Sequence, residues 1–336
     1  MGPTLSVVGA GAIGLSCALA AADRGWAVTI LDAGTDRRAA HVAGGMLGCF
    51  GEGRPGEGDL LDVSVTSAAR WPAFLERLGR PDVRTADDTL LVGASSTDLA
   101  EIDDQVSFVR ARSADAAIAP RSGPALRSSE PMLARGCAGG YLVSGEGAVD
   151  NRRLLAALRS ALVGAGAAFV DADVEDLDDV PGDRVLVAAG LHTPRLVPGV
   201  EVRGEKGEIL RLRRTRWSVA PPSRVIRARW HGRPVYVVPR EDGVVVGATQ
   251  YEAVGSDDRA PQAGGVADLL ADVGELLPGL RTYELSEVSA GIRPSSVDGL
   301  PMVRRVDDRV LVATGHGRNG IALSPWTADR VVELLA

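Results

Sequence analysis

Cysteine, histidine and net positive charge are all scarce in this chain of 336 residues, and each shortage closes a route. Cys17, Cys49 and Cys137 are widely spaced and odd in number, so neither a disulfide framework nor a zinc site is expected. The four histidines, His41, His192, His231 and His316, form no HxxxH pair and no cluster with cysteine, which leaves metal catalysis without ligands. Basic residues number 37 against 44 acidic ones, and a formal net charge of −7 gives no field to attract nucleic acid or an anionic membrane. No apolar run is long enough to cross a bilayer. The first apolar segment belongs to a glycine motif and not to a secretory leader, so a soluble, cytoplasmic protein is expected.

What is present begins at residue 5. The apolar run Leu5-Ser6-Val7-Val8 flows into Gly9-Ala10-Gly11-Ala12-Ile13-Gly14 and a helical stretch, and Asp32 closes the next apolar run, Ala27 to Leu31. This is a dinucleotide-binding fingerprint. Gly9 permits the tight strand-to-helix turn, Gly11 lets the backbone approach a pyrophosphate, and Gly14 lets the helix pack closely on the sheet. The helix start offers unpaired N–H groups and a positive dipole end to phosphate. Asp32 is placed to accept hydrogen bonds from an adenosine ribose.

The chain is long for one core, so two lobes are expected. The glycine-rich segment His41 to Gly48 reads as backbone passing close to a ligand. A helix is expected over Val63–Leu78, a second lobe from near Arg80, a strand at Leu90–Gly93 and a helix over Leu99–Ala111. Asp150 is placed as the N-cap of a helix over Arg152–Gly164, and Val185 to Gly190 reads as a buried strand ending in small residues. From Lys206 to about Ser289 the apolar residues alternate, with two strands joined through Arg240-Glu241-Asp242-Gly243. The chain closes with strand Val310 to Thr314, the turn Gly315-His316-Gly317-Arg318-Asn319-Gly320 and a helix from about Ser324.

The GxGxxG spacing recurs at Gly51–Gly56 and Gly315–Gly320, but no second complete fingerprint with a following strand and closing acid, which a separate NAD(P)H site requires, accompanies it, so a flavin here takes its electrons from an organic substrate. The C-terminal turn suits flavin, because helix N-terminal amides there can face the electron-rich edge of the ring. In combination, five features resemble the FAD-dependent glycine oxidases of the D-amino-acid oxidase and sarcosine oxidase group. They are the fingerprint, Ala43-Gly44-Gly45-Met46-Leu47, Tyr236-Val237-Val238-Pro239-Arg240 followed by Val246-Gly247-Ala248-Thr249, Gly291-Ile292-Arg293-Pro294 with Asp298-Gly299-Leu300-Pro301, and the C-terminal turn through Ile321. The resemblance implies an α/β fold: a Rossmann-like FAD-binding lobe from 1–80, 140–205 and 286–336, and an inserted α+β substrate lobe, built on a large antiparallel sheet, from 81–139 and 206–285. It implies non-covalent FAD, contacted by Gly9, Gly11, Ile13, Gly14, Asp32, Gly44, Gly45, Met46, Val174, Gly190, Gly291, Arg293, His316, Gly317, Arg318, Asn319, Gly320 and Ile321.

Flavin oxidation of an α-amine needs a carboxylate anchor and an oriented Cα–H more than it needs a base. Arg293 matches the family's carboxylate-binding arginine, whose planar fork suits that task. Tyr236 matches a tyrosine that hydrogen-bonds the same carboxylate, and Arg318 matches an arginine near flavin and substrate, with bracing of the turn as its other reading. Gln250 and Gly317 complete the expected substrate contacts. His316 is expected to shape the turn. The chain departs from the family at Gly317, where a bulky aromatic is usual, at Ala322 and at Gln250. An opened pocket follows if Gly317 faces the substrate. The expected substrate is therefore a small amine with a carboxylate, an N-substituted (N-carboxymethyl) glycine in preference to glycine, oxidised with O2 to glyoxylate, an amine and peroxide. A glycine oxidase of thiamine biosynthesis and a D-amino-acid dehydrogenase with another acceptor stay open, and the family's tetramers imply a homo-oligomer.

Overall fold

Near-continuous apolar runs and alternating ones build two different sheets. The computed structural model describes residues 2–34, 38–253, 255 and 258–336. The first sheet has six strands in the order Met302–Arg305, Val310–Thr314, Arg184–Val187, Thr4–Val8, Ala27–Asp32 and Ala168–Asp171. All its pairs are parallel except the first, with Leu5 beside Val28 and Val7 beside Ile30. The central strands Val310–Thr314, Arg184–Val187 and Thr4–Val8 are buried on both faces, which explains why they read as unbroken apolar runs. Helix Ala12–Ala22 packs on Asn151–Gly164 and Ser324–Leu335, enclosing Leu5, Val7, Leu15, Leu19, Ile30 and Leu158. Each such side chain contributes about 1.5 to 3 kcal/mol by leaving water.

Short-range signals fix the ends of these elements. A Cβ on Gly14 would stand 2.0 Å from the Gly9 carbonyl oxygen, so only a glycine lets the helix start so close to the strand. Asp150 Oδ1 accepts the amides of Arg152 and Arg153 at 2.9 and 3.0 Å, the cap expected from sequence. The helix expected over Val63–Leu78 is two, Gly58–Ala68 and Trp71–Leu78, because Pro72 suits the first turn of a new helix and not the interior of an old one.

The second sheet has nine strands and pivots on Arg203–Arg213. That strand pairs with Glu284–Ser295 on one side and with Gly243–Gly247 and Tyr251–Glu252 on the other. The sheet continues through Arg233–Arg240, Val225–Trp230, Thr89–Gly93, Gly139–Val143 and Ile118–Ser122. Every pair is antiparallel except Val225–Trp230 with Thr89–Gly93. The expected hairpin closes at Arg240 opposite Gly243. Helix Ala263–Leu276, which the alternation did not reveal, covers one face with Leu269, Val273 and Leu276 against Leu210, Val244 and Val246. Strands Gly139–Val143 and Glu284–Ser295 both belong to this larger sheet, so divisions at 140 and 286 fall inside strands; an alternating pattern does not say which sheet a strand joins. No helix among the described residues is long and apolar enough to cross a membrane.

Candidate active site

The carboxyl ends of the parallel strands face the inner side of the larger sheet across a cavity of about 820 Å³. Ligands bind open α/β sheets at this end, where the strand order reverses. Every cofactor- and substrate-contact residue expected from sequence lines the cavity except Gly14, which lies behind the wall as a packing glycine.

At the nucleotide end the backbone is left open for a ligand. Helix Ala12–Ala22 begins at Gly11 without a side-chain cap and without an acidic residue in its first turn. A Cβ on Gly11 would meet nothing within 4 Å, whereas one on Gly9 would press on the Ala188 carbonyl oxygen at 2.5 Å. These orphan amides and the helix dipole fit a pyrophosphate. Asp32 reaches the cavity from the end of the next strand, where its carboxylate also holds Arg38 at 2.5 and 2.6 Å and the Gly34 amide at 3.2 Å. Gly45, at φ +82, turns the Gly44–Met46 loop along the wall, and Val174 and Gly190 line the same end. Buried Arg240 braces the loop from outside, donating to the Gly44 carbonyl at 2.9 Å and to Asn151 Oδ1 at 3.2 Å. No cysteine lines the cavity among the described residues; Cys17, Cys49 and Cys137 are all buried elsewhere with free thiols.

At the other end two polar groups lack protein partners. Arg293 rises from Glu284–Ser295 over Gly207, where an added Cβ would clash with the guanidinium, and no ion pair or hydrogen bond occupies it among the described residues. Glu205, its ladder partner, lines the cavity too, and Gln250 Nε2 stands 3.5 Å from that carboxylate. The Tyr236 ring lies between Gly44 and Gly247, and its hydroxyl has no hydrogen bond within the described protein. Burial pushes the Tyr236 phenol up from its usual range, with Arg293 pulling the other way, so it is a proton donor at neutral pH.

Arg318, expected to touch the substrate, is committed elsewhere. Its Nε lies 3.0 Å from Glu52, and its Nη2 pairs with Glu57. Glu52 also takes Arg227 at 2.5 Å. The two guanidiniums outweigh burial and hold the Glu52 carboxyl down at about 2. His316 is buried with Nε2 at 2.9 Å from Thr327 Oγ1, and burial lowers its pKa to about 3, so it is neutral and structural. Gly317 lines the cavity, but at φ +53 its missing side chain points at Ser295 Oγ, 3.1 Å from an ideal Cβ. The expected opening at this position is therefore not there: the direction is filled by Ser295, and the glycine serves a left-handed turn. Ala322 sits behind the wall, its carbonyl accepting from Ser67 Oγ and Trp71 Nε1 at 2.7 and 2.9 Å.

Glu52, Arg227 and Glu146 escaped the sequence reading. Glu146, buried, accepts the amides of Cys49 at 2.7 Å, Gly51 at 2.9 Å and also Phe50, and so fixes the turn that carries Glu52. The one available signal was the density of glycines from Gly44 to Gly58, which marks a chain held by backbone contacts instead of its own side chains.

Known proteins share this architecture. A model of the DAO family, FAD dependent oxidoreductase, matches residues 5–334. The glycine oxidase of Geobacillus kaustophilus is 30% identical over 98% of this chain and 92% of its own. Its crystal structure superposes with a TM-score of 0.87 at 28% identity, covering 99% and 95% of the two chains. A protein of Rhizobium etli named as the thiamine biosynthesis oxidoreductase ThiO is 32% identical over 98% of this chain and 95% of its own. The iminodiacetate oxidase of Chelativorans sp. BNC1 shares the fold, with a TM-score of 0.87 at 21% identity over 98% and 95%. With the fingerprint amides open to a pyrophosphate and the family model spanning nearly every residue, the chain belongs to the DAO family of FAD-dependent oxidoreductases, with FAD as its cofactor.

Proposed function

We propose that this enzyme is an amine oxidase of the glycine oxidase type, acting on glycine and preferentially on N-substituted glycines, and yielding glyoxylate, the amine and peroxide with O2 as acceptor. The observation that carries the reading is the pair of unpartnered groups in one cavity: the Arg293 guanidinium and the Tyr236 hydroxyl. A carboxylate fits both, two oxygens on the planar fork and one accepting from the phenol. FAD, when bound, accepts a hydride from the substrate's α-carbon and hands the electrons to oxygen.

The protein's own part is orientation. Holding the carboxylate at one fixed point turns a bimolecular encounter into an effectively unimolecular one. Glu52 and Glu57 together balance Arg227 and Arg318, so neither competes with Arg293 for the carboxylate. His316, uncharged, neither donates charge to the site nor acts as a base at neutral pH; it ties the C-terminal turn to the following helix through Thr327. The preference for an N-substituent rests on the size of the cavity, about 820 Å³, whose wall also includes Arg54, Gln105 and Arg229.

The reading extends to organisation. The six-stranded sheet with residues 1–80, 140–205 and 286–336 serves as the nucleotide lobe, with the strands noted above crossing into the substrate lobe of 81–139 and 206–285. The enzyme is cytoplasmic and a homo-oligomer, for which the exposed Trp217 and Val219 offer an apolar contact. The test is the visible spectrum of the yellow protein under anaerobic conditions. Bleaching by glycine, sarcosine or an N-carboxymethyl amine supports the reading, and no bleaching by any of them removes it. Stoichiometric peroxide on admitting air separates an oxidase from a dehydrogenase.

A further inference from the structure

A second guanidinium in the cavity is also uncommitted. Arg54 lies between Glu52 and Glu57 in the loop Gly53–Glu57, where the Glu57 amide donates to the Arg54 carbonyl at 3.0 Å. Its side chain lines the same cavity as Arg293 and has no hydrogen bond or ion pair among the described residues. Arg54 is exposed and stands two residues after Glu52 and three before Glu57, the acids that hold Arg227 and Arg318. The cluster holds three guanidiniums, Arg54, Arg227 and Arg318, against two carboxylates, Glu52 and Glu57. The carboxylates are taken: Glu52 by Arg227 and Arg318, Glu57 by Arg318. One positive charge is left over, and it is the one on Arg54. Arg229, on a neighbouring part of the wall, is already paired with Glu101 at 3.1 Å.

Among the described residues, the cavity wall thus carries two guanidiniums without an ion pair, from different elements: Arg293 from the large sheet and Arg54 from the loop beyond the glycine-rich segment, and the wall acids Asp104 and Glu205 pair with neither. A simple glycine supplies one anion and leaves the other guanidinium facing an uncharged ligand. We propose that Arg54 binds a second acidic group carried on the amine of the substrate, so that the favoured substrates are glycines bearing a short acidic N-substituent. This rests on the carboxylate-anchor reading above and narrows it. In each turnover the α-carbon gives up a hydride and the nitrogen a proton, water breaks the C–N bond, and O2 takes two electrons and two protons as H2O2. Iminodiacetate would give glyoxylate and glycine.

The experiment compares iminodiacetate with N-ethylglycine, which has the same reach without the second charge. Wild-type enzyme should prefer iminodiacetate in kcat/KM, and Arg54→Ala should cut that preference by about 10- to 100-fold, the range of a lost charged hydrogen bond. Arg54→Lys should restore part of it, since the charge returns without the fork. Binding gives an independent readout. The Kd of unreactive thiodiacetate, read from the flavin spectrum, should rise in Arg54→Ala by much more than that of (methylthio)acetate. Equal losses on both members of each pair, or no change in either ratio, would overturn the assignment. If glycine, sarcosine, N-ethylglycine and iminodiacetate all fail to bleach the wild-type flavin, the parent reading fails and takes this one with it; bleaching by glycine or sarcosine without iminodiacetate overturns this one alone. Bleaching by both, with a ratio indifferent to residue 54, removes Arg54 alone.

Discussion

Arg293 and Arg318 line the same cavity and both come from motifs that resemble the family's, Arg318 with bracing of its turn as a second reading, and their surroundings give them opposite work. Arg318 meets two carboxylates, Glu52 and Glu57, and shares Glu52 with Arg227. Arg293 meets none; its strand neighbour Glu205 lines the cavity without pairing to it. A guanidinium already satisfied by acids gains little from a ligand's carboxylate, because the new bond must displace an old one. One held in place and unpaired gains the full difference. The lesson is that the type of residue names a candidate, and the local charge count decides its role.

The largest effect expected from this contrast is on catalysis. Arg293→Ala should lower kcat/KM by about 10² to 10³, the cost of removing one partner of a desolvated charge pair, while Arg318→Ala should act mainly on thermal stability. Steady-state kinetics beside melting curves would check both halves. Next comes Glu52→Ala, which strands Arg227 and leaves Arg318 with Glu57 alone. With all three side chains only 12 to 24% exposed, a loss of about 3 kcal/mol is expected in denaturant unfolding.

A smaller effect belongs to His316. The folded protein holds this imidazole neutral down to about pH 3, whereas the unfolded chain takes up a proton near 6.5. Stability therefore rises with pH across that window and is lost as pH falls below 6.5, by at most about 1.4 kcal/mol per pH unit. His316→Gln should flatten the slope between pH 5 and 6.5. Glu52, lowered from 4.5 to about 2, contributes its own loss only as the pH drops below 4.5, so the two are separable. The smallest change is Tyr236→Phe, expected to cost about 1 kcal/mol, seen as a roughly five- to tenfold lower kcat/KM.

Legibility in the sequence followed range. The strand, turn and helix from Thr4 to Ala22, the Asp150 cap and the hairpin at Arg240–Gly243 depend on neighbours a few residues away, and all three could be read directly. The C-terminal turn and Arg293 came from motifs whose meaning is carried by resemblance. What stayed hidden is long-range. Glu52 meets Arg227 and Arg318 across 175 and 266 residues, and Glu146 meets the Cys49–Gly51 amides across 95 to 97, with no periodicity to betray either. Gly317 shows the limit from the other side: its lack of a side chain is visible in sequence, but the Ser295 hydroxyl that fills the direction is not.

The account stands most directly on which arginine holds the substrate carboxylate. The measurement is the Kd of (methylthio)acetate, from the perturbed flavin spectrum, in wild type, Arg293→Ala and Arg318→Ala holoenzymes. A rise of about 100-fold in Arg293→Ala with only a few-fold rise in Arg318→Ala is the predicted result. A larger rise in Arg318→Ala than in Arg293→Ala would contradict it and move the anchor to the C-terminal turn.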